Sequence, residues 1–193
     1  YPEDLPTAKM LAYYAARFPT VEINYTFYRM PTPKLVAGWC GQVPADFRFT
    51  LKAPRRITHD KKLRPAEVAD AVKGFVTAAS ELGPRMGALL FQLPPTFKKD
   101  TGVLGEFLAL LPPRVTAAFE FRHDSWLADD VYDCLRARNV ALCIADSEKR
   151  DTSAPAIESV SDHGVSLPVT HPPAVQRRRL VSTTPTSGAQ SVP

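Results

Sequence analysis

Glu120, Arg122 and His123 fall within one short stretch, AAFEFRHDSW at 117–126. A carboxylate, a guanidinium and an imidazole so close together can move a proton and hold an anion. Groups of the same kind recur earlier. TVEIN (20–24) carries Glu22 and Asn24, RFTLKA (48–53) carries Lys52, ALLFQL (88–93) carries Gln92, and ALCIAD (141–146) ends on Asp146. The chemistry they suit is acid–base work on a small anionic or polyhydroxylated molecule. Glu22, Glu120 or His123 would serve as general acid or base. Lys52 and Arg122 would bind the anion or polarise an oxygen. Asn24 and Gln92 would orient hydroxyl groups, with Tyr28 and Trp126 as apolar walls and Asp146 as a further binding group. Two carboxylates on separate segments also suit glycoside hydrolysis, which demands a defined separation. For any one of these residues an internal ion pair is the simpler account, Glu22 and Glu120 being neutralised by Lys52 and Arg122, because buried charges need partners. For the whole set a site is the better account, since packing does not require successive strands to end in hydrogen-bonding groups.

The elements that must position these residues are short and regular. The five quoted segments, with TAAFEFR (116–122) as the fourth, read as strands. Helical spacing runs through 5–18, 65–82, 102–111 and 128–139. Pro65 stands at a plausible first-turn position and Glu67 in the first turn. Strand then helix, repeated, predicts an α/β fold with a parallel sheet, and five such units suggest part of a TIM-like (β/α) barrel. Within each strand, parity separates two faces. Val21 and Ile23 oppose Glu22 and Asn24; Phe49 and Leu51 oppose Arg48, Thr50 and Lys52. Leu89, Phe91 and Leu93 oppose Ala88, Leu90 and Gln92; Phe119 and Phe121 oppose Ala118, Glu120 and Arg122. The apolar face would pack on helices and the other would point into the barrel mouth, where such folds place their sites. Asp146 shares parity with Leu142 and Ile144 and so belongs just past the strand end.

Composition bounds the alternatives. The chain has 193 residues, 45% hydrophobic and 23% charged, with a formal net charge of +4. That balance fits one globular domain and is too weak by itself to imply nucleic acid. Every aromatic residue lies at or before Tyr132. From Asp151 onward the chain is rich in Ser, Thr and Pro and shows no sustained period, which predicts a domain over 1–150 and a low-complexity, disordered tail over 151–193. Cys40, Cys134 and Cys143 form no CxxC pair, so reduced thiols and a cytoplasmic location are expected. No apolar run has the length of a membrane span. No GxGxxG turn, Walker motif, HxH or HExxH occurs, so no cofactor and no metal site is expected. One competing function has residues of its own. APRRITHDKKLR (53–64) holds Arg55, Arg56, Lys61, Lys62 and Arg64 in a loop and could contact the phosphates of a nucleic acid; a solvated loop is the plainer reading, with His59 exposed on it.

FPTVEINYTFYRMP (18–31), FRFTLKAPRRITHDKKL (47–63), LLFQLPPTF (89–97), AAFEFRHDSW (117–126) and ALCIADSE (141–148) together resemble the YecE-like family, the domain of unknown function numbered seventy-two. The resemblance covers about residues 1–150. It implies a TIM-barrel-like fold and no established activity. The chain departs from the family pattern at both ends, starting just after a Gly-Thr-Ser-Gly-Trp-like strand and turning abruptly to the tail after Glu148. A barrel of this kind needs about 250 residues and eight strands. The expectation is therefore an incomplete barrel from a frameshift or truncated gene near residues 150–165, and a non-functional fragment is the third reading beside the small-molecule and nucleic-acid ones.

Overall fold

A computed structural model describes residues 1–145, 166–168 and 177–181. Five parallel strands lie side by side in chain order: β1 (Thr20–Ile23), β2 (Arg48–Lys52), β3 (Met86–Gln92), β4 (Ala117–Glu120) and β5 (Ala141–Ala145). Helix α1 (Thr7–Ala15) precedes β1, and α2 (Tyr25–Tyr28) with α3 (Pro33–Cys40) leads from β1 to β2. Helices α4 (Pro65–Ser80), α5 (Thr101–Leu110) and α6 (Asp129–Ala137) make the remaining crossovers. A parallel pair cannot be joined by a tight turn, so each helix is the return path that starts the next strand. This is the α/β fold with a parallel sheet that the alternating segments predict.

The helices begin where local chemistry lets them. At α3 the Thr32 side chain accepts a hydrogen bond from Leu35 N, and Pro33 occupies the first turn. At α5 the Asp100 carboxylate accepts from Val103 N at 3.0 Å. Both satisfy amides that have no partner within the helix. Helix α3 lies outside the segments with a clear helical period. Its signal is the cap, Thr-Pro before an apolar run, rather than the repeat.

Parity divides the sheet as expected. Phe49, Leu51, Leu89, Phe91, Phe119 and Phe121 form one continuous core with Val68, Val72 and Phe75 of α4, Leu104, Phe107 and Leu108 of α5, and Val131 and Leu135 of α6. The spacing of Val68, Val72 and Phe75 puts them on one stripe of α4, aimed at the sheet. Phe91 is packed by Phe107 at 5.2 Å and Phe119 at 5.1 Å between ring centroids. Each such buried ring stabilises the fold by about 1.5–3 kcal/mol. The opposite face carries its own small cluster of Leu90, Ala118 and Cys143, packed by Ala141. Thr50 and Glu120 are buried on that same face.

The register slips between Phe49 and Thr50, where Phe49 pairs with Met86 and Thr50 with Ala88. Gly87 is the extra residue of this bulge. A Cβ there would stand 3.0 Å from the Phe49 carbonyl oxygen, so the close approach of β2 and β3 needs glycine.

Two short strands are described within the stretch expected to be a low-complexity tail. β7 (Arg177–Val181) pairs antiparallel with β5, and β6 (Ser166–Pro168) pairs antiparallel with β7. Backbone pairing to the open edge of β5 supplies an order that side-chain composition does not signal. The sheet order becomes β1-β2-β3-β4-β5-β7-β6, and Cα atoms of β6 come within 8 Å of those of β1. No helix among the described residues is long and apolar enough to cross a membrane.

Candidate functional site

The C-terminal ends of β1–β4 bring the polar residues of the face opposite the main core to one end of the sheet. Glu120 closes β4 and is fully buried, ion-paired with Arg122 two residues on. Cys143 of β5 donates its thiol to Glu120 Oε2 at 3.8 Å. Gln92 closes β3 directly opposite Glu120 in the register. Lys52 closes β2 opposite Leu90, one inward-facing position lower. Glu22 lies opposite Thr50, so Glu22 and Glu120 share a face without being register partners. Arg122 reaches outward from the pair, its side chain 21% exposed, yet its Nε is buried with no hydrogen-bond partner among the described residues.

The loops around this end are tied to one another. Thr26, buried in α2, donates to the carbonyl oxygens of Ile23 at 2.9 Å and Lys52 at 2.6 Å, which pins α2 over the ends of β1 and β2. Phe27 of α2 then lies under Lys52 Nζ, 5.0 Å from the ring centroid, and edge-on to His59 at 4.9 Å. His59 belongs to a π-helical turn, Arg56–Asp60, and its Nδ1 is 2.9 Å from Thr58 Oγ1. Such turns insert an extra residue and commonly mark functional sites. Lys62 and Leu63 follow with positive φ, 47° and 64°, a conformation that costs a non-glycine residue about 1–2 kcal/mol. Burial holds the His59 imidazole below its ordinary pKa, helped by the charges of Lys52 and Arg55 and opposed by Asp60. Its neutral form is therefore favoured.

Trp126, Tyr28, Asn24 and His123 have distinct surroundings. Trp126 is fully buried, stacked on Phe121 at 4.8 Å and 9°, and its Nε1 donates to the Phe97 carbonyl at 2.7 Å. Tyr28 is 81% exposed and lines, with Phe27, Arg55, Asp60 and the start of α4, a cleft of about 630 Å³. Asn24 lies past the end of β1 in a helical conformation, φ −77° and ψ −20°, at the start of α2, so strand parity does not govern it. His123 caps the turn Asp124–Trp126, its Nδ1 accepting from Ser125 N at 3.1 Å, which leaves the proton of a neutral ring on Nε2. Asp146 lies outside the described residues.

Three of the five cations of the basic stretch have acidic partners. Arg55 pairs with Asp60 at 3.0 Å, while Lys61 and Arg64 both pair with Glu67 of α4. Lys62 reaches over the Phe97 ring at 5.8 Å. No group of three or more His, Cys, Asp or Glu side chains is placed to hold a metal ion among the described residues. His59 is half-buried rather than exposed on its loop, and the contacts of Thr26 and Cys143 are not read from the sequence. Parity could have found Cys143, on the inward positions of ALCIAD. His59 has only its place in the loop after β2 to mark it, and Thr26 has no signal.

Known proteins share this chain's features over most of its length. The UPF0759 protein YecE of Escherichia coli is 36% identical over 155 residues, covering 77% of this chain and 56% of YecE. The UPF0759 protein YunF of Bacillus subtilis is 29% identical over 140 residues, covering 69% of this chain and 49% of YunF. This chain thus spans about half the length of the curated relatives it matches. Among solved structures, a DUF72 family protein of Enterococcus faecalis superposes with a TM-score of 0.61 at 23% identity, covering 70% of this chain and 58% of that one. A DUF72 family protein of Thermotoga maritima gives 0.59 at 29% identity, covering 74% and 56%. The family model described as protein of unknown function DUF72 matches residues 1–180, past the point where the motifs in the sequence end, and the chain belongs to that family.

Proposed function

We propose that the C-terminal end of the sheet binds a small anionic or polyhydroxylated molecule and performs acid–base chemistry on it. In this reading Arg122, Lys52 and Gln92 hold the ligand. Glu120 transfers the proton, with Glu22 as a second carboxylate on the same face. The reading takes the sheet as part of a TIM-like (β/α) barrel, whose sites lie at this end. The sequential parallel strands and the approach of β6 to β1 support that frame. Because the chain spans about half of its relatives' length, the chemistry proposed is that of the residues it carries.

One observation carries the proposal: Arg122 Nε is buried without a hydrogen-bond partner among the described residues, beside a fully buried carboxylate. A buried donor left unmade costs about 1–3 kcal/mol, and an ion pair kept for stability alone has no use for it. A ligand oxygen would satisfy it. Among the described residues the nucleic-acid reading has no buried unsatisfied donor to support it, and three of the five cations of its stretch share the two carboxylates of Asp60 and Glu67.

The test is thermal-shift screening of the chain against sugar phosphates, hydroxy acids and free sugars, followed by calorimetry on any ligand found. Arg122→Lys keeps the charge and removes the Nε donor. It should weaken binding by about 10- to 100-fold, the worth of one charge-assisted hydrogen bond. Glu120→Gln should keep binding and abolish turnover. A ligand whose affinity and turnover ignore both substitutions would end the proposal.

A further inference from the structure

We infer that His59 and Lys52 form an oxyanion-binding subsite across the Phe27 ring, at the end of β2, in which the imidazole Nε2 and the Lys52 ammonium hold one anionic group. The inference rests on the proposed function and names the part of that site that would take the ligand's phosphate, sulfate or carboxylate.

Three observations converge on it. First, both groups are fixed against one ring: Lys52 Nζ lies 5.0 Å from the Phe27 centroid and the His59 ring 4.9 Å from it. Phe27 is itself pinned through its neighbour Thr26, which donates to the backbone at the ends of β1 and β2. Two donors held on a rigid apolar platform lose little freedom when an anion joins them. Second, the hydrogen bonding behind His59 suits either protonation state. Nδ1 faces Thr58 Oγ1 at 2.9 Å, and that hydroxyl also lies 3.5 Å from the Pro54 carbonyl. A protonated ring can donate from Nδ1 to Thr58 while Thr58 donates to Pro54, so no donor is stranded. Nε2 is then the ring atom left for a ligand. Third, among the described residues the charges facing His59 are Lys52 from β2 and Arg55 and Asp60 at the two ends of its own turn, with Phe27 as the contact from α2. Asp60 is already paired with Arg55.

The electrostatics give the subsite a pH dependence with a definite sign. Burial and the two cations favour neutral His59. An anion seated between His59 and Lys52 offsets those cationic charges and favours the imidazolium. Because the coupling is reciprocal, protonating His59 must strengthen anion binding by the same factor that the anion strengthens protonation. Binding therefore tightens as pH falls.

Sulfate is the probe, since it stays dianionic through the range used. Sulfate binding to the whole chain is measured from pH 8 to pH 5 by calorimetry, while the His59 ring proton is followed by NMR, assigned by its loss in His59→Gln. Affinity should rise about 10-fold on acidification, the worth of one additional charge-assisted hydrogen bond. The titration midpoint of His59 should move up when sulfate is added. His59→Gln should bind sulfate weakly and without pH dependence, and Lys52→Gln should lose most of the affinity at every pH. A His59 midpoint indifferent to sulfate, or a pH dependence that survives His59→Gln, overturns the inference. The two proposals fail separately. Loss of the sulfate effect leaves the Arg122→Lys result standing, and sulfate binding intact in Glu120→Gln and Arg122→Lys leaves the subsite standing without that acid–base pair.

Discussion

Arg122 and Trp126 lie in the same ten-residue stretch, yet Arg122 pairs with Glu120 on one face of the sheet and Trp126 stacks on Phe121 in the core of the other. The stretch changes direction between them because β4 ends at Glu120 and a 3-10 turn, Asp124–Trp126, carries the chain back over Phe121. Period-2 parity predicts Phe119, Glu120 and Phe121 correctly because they are extended. It says nothing past the strand end, where His123 caps the turn and Trp126 enters the core. The same limit applies to His59, whose ring meets Phe27 of α2 as well as Thr58 of its own turn. Trp126 has a definite structural role. Trp126→Phe should destabilise the chain by about 2–4 kcal/mol, from the unmade bond to the Phe97 carbonyl plus the smaller ring. Urea unfolding measures that loss. Sulfate affinity should stay within about twofold of the parent, and a stable variant with impaired binding would return Trp126 to the site.

At the scale of elements, strands and crossover helices are legible because each carries a strong period and most also carry a boundary signal. The segment read as 65–82 is α4, Pro65–Ser80, and the segment read as 102–111 is α5, Thr101–Leu110. Helix α3 escapes the pattern because Pro33–Cys40 is too short for its period to stand out, although Thr32 and Pro33 mark its start. The π-helical turn is out of reach, since an inserted residue leaves no mark in an alternating pattern. Gly87 tests how tightly the elements are set. A methyl there meets the Phe49 carbonyl oxygen at 3.0 Å, and the atom in the way is backbone, which cannot rotate aside. Gly87→Ala should therefore cost about 1–3 kcal/mol, as overpacking does. Because the bulge sets where Lys52 falls relative to Gln92 and Glu120, the variant should also weaken sulfate binding. Unchanged stability by thermal denaturation would mean that β2 and β3 can separate locally without loss.

For the whole molecule, the α/β character and the order of units follow from alternation alone, and the family motifs lie within those units. What alternation cannot give is how the sheet ends. β5 would present an open row of backbone donors and acceptors, with Ile144 exposed at 44%, and such an edge templates association with other chains. β7 occupies that edge, pairing Leu142 with Val181, Cys143 with Leu180, Ile144 with Arg179 and Ala145 with Arg178. Composition argues for a tail with no structural duty, but a strand that is held by backbone hydrogen bonds needs little apolar side-chain area. Arg179 stands between β5 and β6 in the ladder, paired with Ile144 on one side and Ser166 on the other. Proline there removes an amide donor and resists the central-strand position. Arg179→Pro should release β7 and with it β6, uncovering β5. Light scattering coupled to size exclusion should then show association that grows with protein concentration, at a concentration where the parent chain keeps one mass. Far-ultraviolet dichroism should change little, because the parallel sheet and its helices stay folded. A variant that keeps the parent's mass across the series would show that β7 does not guard the edge, and that the loops and charges around β5 do.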